Sequence, residues 1–322
     1  MPETAEELRA RLDGGLIPAV PVTFDAGGRF HAAAHESYLR HMAAQPVAGA
    51  AVWAHTGRGL MLEPELADRV MADWRAALPG KVIVAGAGAP ATSDPAEATR
   101  RSVEMAERAA RLGADALLCY APAWLRGRDD ADGLIVEHHR RLAAVGLPLV
   151  LFYLYEAAGG ISYSPAVLDE LLGMPEAVGI KSATLDSVMT YQDLSRRIAA
   201  RHPGKLLITG EDRFLGYSLM RGARAALIGM GAACTRMQAD LIGAHAGGDA
   251  ARFLELSNLV DVLAEATFVR PMEGYVRRML WVLAHQGVIP LEAAHDPWGP
   301  ALPRAEYDEV GRAVAALRGV TD

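Results

Sequence analysis

The chain has 322 residues, 51% apolar and 22% charged, with a net charge of −7 and a pI near 5.8. That composition excludes a disordered chain and a simple fibrous repeat, and the acidic balance excludes the basic footprint of a nucleic-acid binder. Within the charge lies one asymmetry: of 32 basic residues only Lys81, Lys181 and Lys205 are lysines, the rest being arginine.

The first twelve residues read as an acidic amphipathic segment, not a cationic leader before an apolar run. Strand-sized apolar runs follow at 16–23, 49–55, 82–86, 116–119, 148–153, 178–181, 205–209 and 225–228. Between them lie helical patterns, among them 63–78, 94–112, 134–145 and 187–201. Ser93-Asp94-Pro95 and Ser164-Pro165 have the form of helix starts, a capping side chain before a first-turn proline. Strands apolar throughout are buried on both faces, as in a parallel sheet. Eight such βα units predict a (β/α)8 barrel over residues 1–245. From 246 to 322 only helical patterns occur, at 250–266, 272–286 and 304–318, with a Pro-rich connector at 295–303. That predicts a C-terminal helical domain of about three helices.

No stretch is long and apolar enough to span a bilayer, and no membrane partner is expected. Cys119 and Cys234 form neither a disulfide framework nor a zinc pattern, which fits a reducing cytoplasm. His138 and His139 are adjacent on a helical pattern and so point to different faces, which makes a poor metal site. No cofactor or metal is expected.

In such a barrel the chemistry sits at the C-terminal ends of the strands. Lys181 ends the sixth apolar run. Burying an ammonium there is costly unless it is paired or loses its proton. A lysine whose pKa falls is an amine nucleophile for carbonyl compounds, through a Schiff base. The alternative is a strand-end lysine that reaches a carboxylate such as Glu211 or Asp212. In a chain that otherwise uses arginine for positive charge, the nucleophile is favoured, because arginine cannot deprotonate. Lys81 and Lys205 precede strands at the opposite barrel face and read as surface charges. Tyr153, ending the fifth run, is either a proton shuttle or a core tyrosine with its hydroxyl at the rim.

Tyr153 and Lys181, 28 residues apart, carry a resemblance. Around Lys181 the chain reads AVGIKSAT, around Tyr153 PLVLFYLYEAAGGISYSPAVL, with GLIPAVPVTFD, HTGRG, GADALLCYAPAW and TGED in order elsewhere. Together these resemble the dihydrodipicolinate synthase / N-acetylneuraminate lyase family of class I aldolases and dehydratases. The resemblance implies a lyase in which Lys181 forms an imine with pyruvate or another 2-keto acid. It makes Tyr153 the proton shuttle, with Thr56 and the Gly57 backbone holding the keto acid's carboxylate. Tyr155, Gly210 and Ile228 fall at substrate-binding positions. The family's habit implies a homo-oligomer, a dimer or a dimer of dimers.

The departures shape the expectation. His55 replaces the hydroxyl that relays protons to the tyrosine, and is either a retuned relay or a packed histidine. Trp124 replaces an aromatic hydroxyl donated by the neighbouring subunit, Arg58 replaces a glutamate, and Ala158 stands where dihydrodipicolinate synthases carry an arginine. These point away from lysine biosynthesis, towards a sugar acid or an aromatic pyruvate adduct, in a pocket lined by Trp53, Trp124, Tyr153 and Tyr155. A non-catalytic or regulatory barrel that binds a keto acid or sugar acid without turnover is the alternative.

Overall fold

The structure, a computed structural model, describes residues 3–90, 94–185 and 187–319. Eight parallel strands form the centre: β1 (Leu16–Pro18), β2 (Gly49–Val52), β3 (Val82–Ala87), β4 (Ala116–Cys119), β5 (Leu149–Leu154), β6 (Ala177–Ala183), β7 (Leu206–Thr209) and β8 (Ala225–Ile228). The strand order is β1-β8-β7-β6-β5-β4-β3-β2, and a bridge between Ala19 and Ala51 brings β1 against β2. This is the predicted (β/α)8 barrel with C-terminal helices. Nearly every strand residue is buried, as expected of a sheet covered by helices on its outside and filled by its own side chains within.

Strand ends differ from expectation for local reasons. The ladder of β1 stops at Pro18, and Pro21 beyond it has no amide to offer. Thr23 and Phe24 turn instead to the chain ahead, Phe24 bridging Phe30 and His295, so the Pro-rich connector is docked on the first loop. β2 ends at Val52 because Trp53 adopts φ +58°, and His55–Gly57 then forms a 3-10 turn. The helix Pro95–Arg111 is capped by Asp94, whose side chain accepts from the amides of Ala96 and Glu97; Ser93 lies outside the described residues. Ser164 caps the helix Pro165–Gly173 in the same way.

After the eighth barrel helix (Thr235–Ala246) come the helices Ala250–Thr267, Tyr275–His285 and Arg304–Ala316. The segment between the first two is pinned by Arg278. This fully buried guanidinium pairs with Glu306 at 2.7 Å and donates to the carbonyls of Val269 and Pro271. Its pinning sets residues 272–275 across the mouth of the barrel. No helix among the described residues is long and apolar enough to cross a membrane.

Candidate active site

β6 delivers Lys181 into a cavity of about 50 Å³ at the C-terminal end of the barrel. That is space for about three to five waters. The strand pleat decides which side chains enter. Lys181 and Ala183 face in from β6 while Ser182 faces out. On the chain after β7, Gly210 and Asp212 face in and Glu211 faces out. Glu211, fully buried, accepts from Ser182 Oγ, from the Thr184 amide and hydroxyl, and from the Leu185 amide. It straps the end of β6 and does not meet the lysine. Burial raises its pKa to about 7, against the pull of those donors.

Lys181 Nζ lies 4.2 Å from the centre of the Phe152 ring. No carboxylate oxygen among the described residues comes within 4.0 Å of it to form an ion pair. Burial lowers its pKa from the ordinary lysine value, and the negative charges of Asp212 and Glu211 act the other way. Asp212 shows the converse: burial raises its carboxyl, while the Met230 amide at 2.7 Å and the Lys181 charge lower it.

Tyr153 does not join them. β5 and β6 pair Phe152 with Lys181 and Tyr153 with Ser182, after a register irregularity at Leu149/Val150. A one-residue slip turns a side chain to the other face of a sheet. Phe152 and Leu154 therefore line the cavity, and the Tyr153 ring lies edge-on to Tyr163 with centroids 5.9 Å apart. Tyr155 lines the cavity, as does Ala158. Ile228 does not. It is fully buried in β8, and the next residue, Gly229, forms that wall instead.

After β2, His55 and Thr56 line the cavity. Gly57 is required by the turn, since a Cβ there would lie 2.8 Å from the Val20 carbonyl. Its amide, however, donates to the Ala54 carbonyl at 3.0 Å. His55 Nε2 is bonded to the Glu273 carboxylate at 3.0 and 3.2 Å. Arg58 also binds Glu273 at 2.6 Å and doubly engages Asp296, whose side chain is 1% exposed. Burial alone would raise the Glu273 pKa, but the hydrogen bonds and charges of His55 and Arg58 outweigh it and hold it at about 2. The replacement of glutamate by Arg58 thus locks the loop after β2 to the C-terminal segment.

That segment supplies Phe268, Met272, Glu273 and Tyr275 to the cavity wall. Sequence reading missed all four, because a helix appended after a barrel carries no local mark of what its first turn touches. Two other expectations change. Trp53 does not line the cavity. Its positive φ turns it outward, and its Nε1 donates to Ala67 in a barrel helix. Lys205 is no simple surface charge, since its Nζ donates to the carbonyls of Met174 and Ala177 at 2.9 and 2.7 Å.

His55, Leu154 and Ala158 also line a second chamber, of about 410 Å³, walled by Trp124, Tyr120 and Arg126. Trp124 packs edge-on against its own chain's His138. Arg126 donates to the Gly160 and Glu156 carbonyls, close to where Ala158 offers no charge. His138 and His139 are buried, and no group of metal ligands forms among the described residues.

Comparison with known proteins bears on the fold and the family. The chain is 28% identical over 278 residues to a 4-hydroxy-tetrahydrodipicolinate synthase of Methylobacterium radiotolerans, covering 86% of this chain and 87% of that one. In fold it matches a catalytic-lysine mutant of Ruminococcus gnavus sialic acid aldolase (TM-score 0.81, 17% identity, 97% of each chain). It also matches an Escherichia coli prophage protein of the dihydrodipicolinic acid synthase family solved with pyruvate (TM-score 0.80, 19% identity, 94% and 98%). The family model for the dihydrodipicolinate synthetase family matches residues 13–317, and with that match across nearly the whole chain, the protein belongs to this family of lyases.

Proposed function

We propose that the protein is a Schiff-base lyase in which Lys181 forms an imine with pyruvate or another 2-keto acid. The observation that carries the reading is the state of Lys181: an amine buried in a small cavity, its pKa lowered, with no ion pair among the described residues to hold its proton. Neutral lysine adds to the keto carbon, and loss of water from the carbinolamine gives an iminium. The iminium withdraws electrons from the next carbon, where a C–C or C–O bond then breaks or forms. Asp212, in the same wall with its pKa raised by burial, is suited to hold and return a proton there. His55, oriented by Glu273 and facing both chambers, is placed to act on the group that departs or arrives.

The rest of the substrate lies in the second chamber. Its apolar and aromatic walls, with Trp124 and Tyr120, suit an apolar or aromatic group better than a polyol. Arg126 is the nearby cation for any terminal carboxylate or carbonyl. The family's habit supports a homo-oligomer, which light scattering of the purified protein tests.

The test of the reaction class is borohydride reduction in the presence of pyruvate and a panel of 2-keto acids, followed by mass spectrometry. An adduct on Lys181, lost in Lys181→Arg, is expected. No adduct with any member overturns the reading. An adduct without turnover of any aldol partner makes the barrel a keto-acid binder.

A further inference from the structure

We infer that Tyr275, brought in by the C-terminal helices, binds the carboxylate of the keto acid together with Thr56. The assignment rests on the imine reading and adds to it the residue that selects an acid over other carbonyl compounds.

The barrel order places β2 and β6 four strands apart, on opposite sides of the mouth. A small keto acid joined to Lys181 at its second carbon therefore points its first carbon, the carboxylate, at the loop after β2. That loop has spent most of its own donors. The Gly57 amide bonds to the Ala54 carbonyl, the Arg58 amide to the His55 carbonyl, and the Gly59 amide to the Ala54 carbonyl. Arg58, the local cation, is held by Glu273 and Asp296.

Besides the His55 and Thr56 amides, what faces the cavity here is a pair of side-chain hydroxyls, one from the loop and one from the C-terminal segment. Thr56 Oγ1 and the Tyr275 hydroxyl lie 3.0 Å apart, both on buried residues and both on the cavity wall. Two hydroxyls carry two hydrogens, and one hydrogen bond joins them. The second O–H has no other protein acceptor among the described residues, and it opens on the cavity. An anion there satisfies it, and hydrogen bonds to ionised acceptors are the stronger kind. Burial raises the Tyr275 pKa, so the phenol stays a neutral donor.

The ring is held for the task. It stacks on Phe268 with centroids 4.7 Å apart and lies nearly parallel to His55 at 6.4 Å. A Cβ at Gly229 would lie 2.9 Å from the ring, so glycine at the end of β8 is what admits it. Such fixing reduces the ordering that ligand binding must otherwise impose.

The experiment measures imine formation by borohydride trapping, and methyl deuterium exchange by NMR, on the full chain with pyruvate and with methyl pyruvate, which lacks the negative charge. Wild type should prefer pyruvate. In Tyr275→Phe the half-saturating pyruvate concentration should rise about 10- to 100-fold, the range for a lost hydrogen bond to a charged group. Methyl pyruvate should be little affected, and the limiting rate at saturating pyruvate should stay within about threefold, as expected of lost binding rather than lost chemistry. Thr56→Val should behave alike and serves if Tyr275→Phe does not fold. An equal loss with both compounds, an unchanged half-saturation in both variants, or a collapse of the limiting rate alone overturns the assignment while the imine reading stands. Absence of any wild-type adduct overturns both.

Discussion

Gly210 stands so close to Lys181 that a Cβ on it would lie 2.7 Å from the lysine Cε, and 2.8 Å from the Ser182 carbonyl oxygen. The lysine's extended path into the cavity exists because residue 210 has no side chain. Gly210→Ala should therefore displace Lys181 and cut the rate of imine trapping at least about tenfold, the loss for a reacting group moved by even about 1 Å. The barrel should stay folded by circular dichroism. Trapping at the wild-type rate would show that the lysine reaches the carbonyl by another path.

Asp212 tunes the same amine through charge. Burial lowers the Lys181 pKa, and the carboxylate of Asp212 opposes that effect. In Asp212→Asn the opposing charge is gone, so the lysine pKa falls further. Imine formation needs the neutral amine, so its pH profile should shift to lower pH. The check is trapping rate against pH in both proteins. A shift to higher pH, or none, would mean that the charge of Asp212 does not act on the lysine.

Arg58 ties the loop after β2 to the C-terminal segment through Asp296 and Glu273. Removing one partner of a buried ion pair strands the other. Arg58→Met leaves the Asp296 carboxylate, 1% exposed, without its counter-charge. A loss of about 3–5 kcal/mol in denaturant unfolding is expected, and adding Asp296→Asn should restore part of it. A loss below about 1 kcal/mol would put the pair in the class of surface bridges.

The two adjacent histidines set an acid limit. Burial depresses His138 to about 3 and His139 to about 4. Unfolded, each takes up a proton near its ordinary value of about 6.5. Below that pH the unfolded state binds more protons, so stability falls as pH drops from about 6.5 towards the folded values. Each histidine contributes a slope of about 1.4 kcal/mol per pH unit once its unfolded form is protonated. His139→Gln should flatten the decline, measured by unfolding midpoints between pH 7 and 4. An equally steep decline in the variant would place the acid sensitivity elsewhere.

Much of this was written in the chain. The alternation of apolar runs with 3.6-period segments gave the barrel, since parallel strands must be apolar on both faces. Lys181 was legible because a lone lysine at a strand end, in an arginine-using chain, has few bland explanations. The face on which Tyr153 lies was not legible. Spacing counts residues along the chain, whereas the pairing of β5 with β6 carries an irregularity that shifts every later side chain by one.

By itself, then, the sequence determined the strand count, the position of the lysine and the departures around His55, Arg58 and Ala158. These follow from periodicity and residue chemistry, which are local. Only the tertiary structure decided the company the lysine keeps. Tyr275 meets Thr56 across 219 positions and Arg58 meets Asp296 across 238. Such contacts are fixed by how the C-terminal helices pack on the barrel mouth, and no local pattern records that packing.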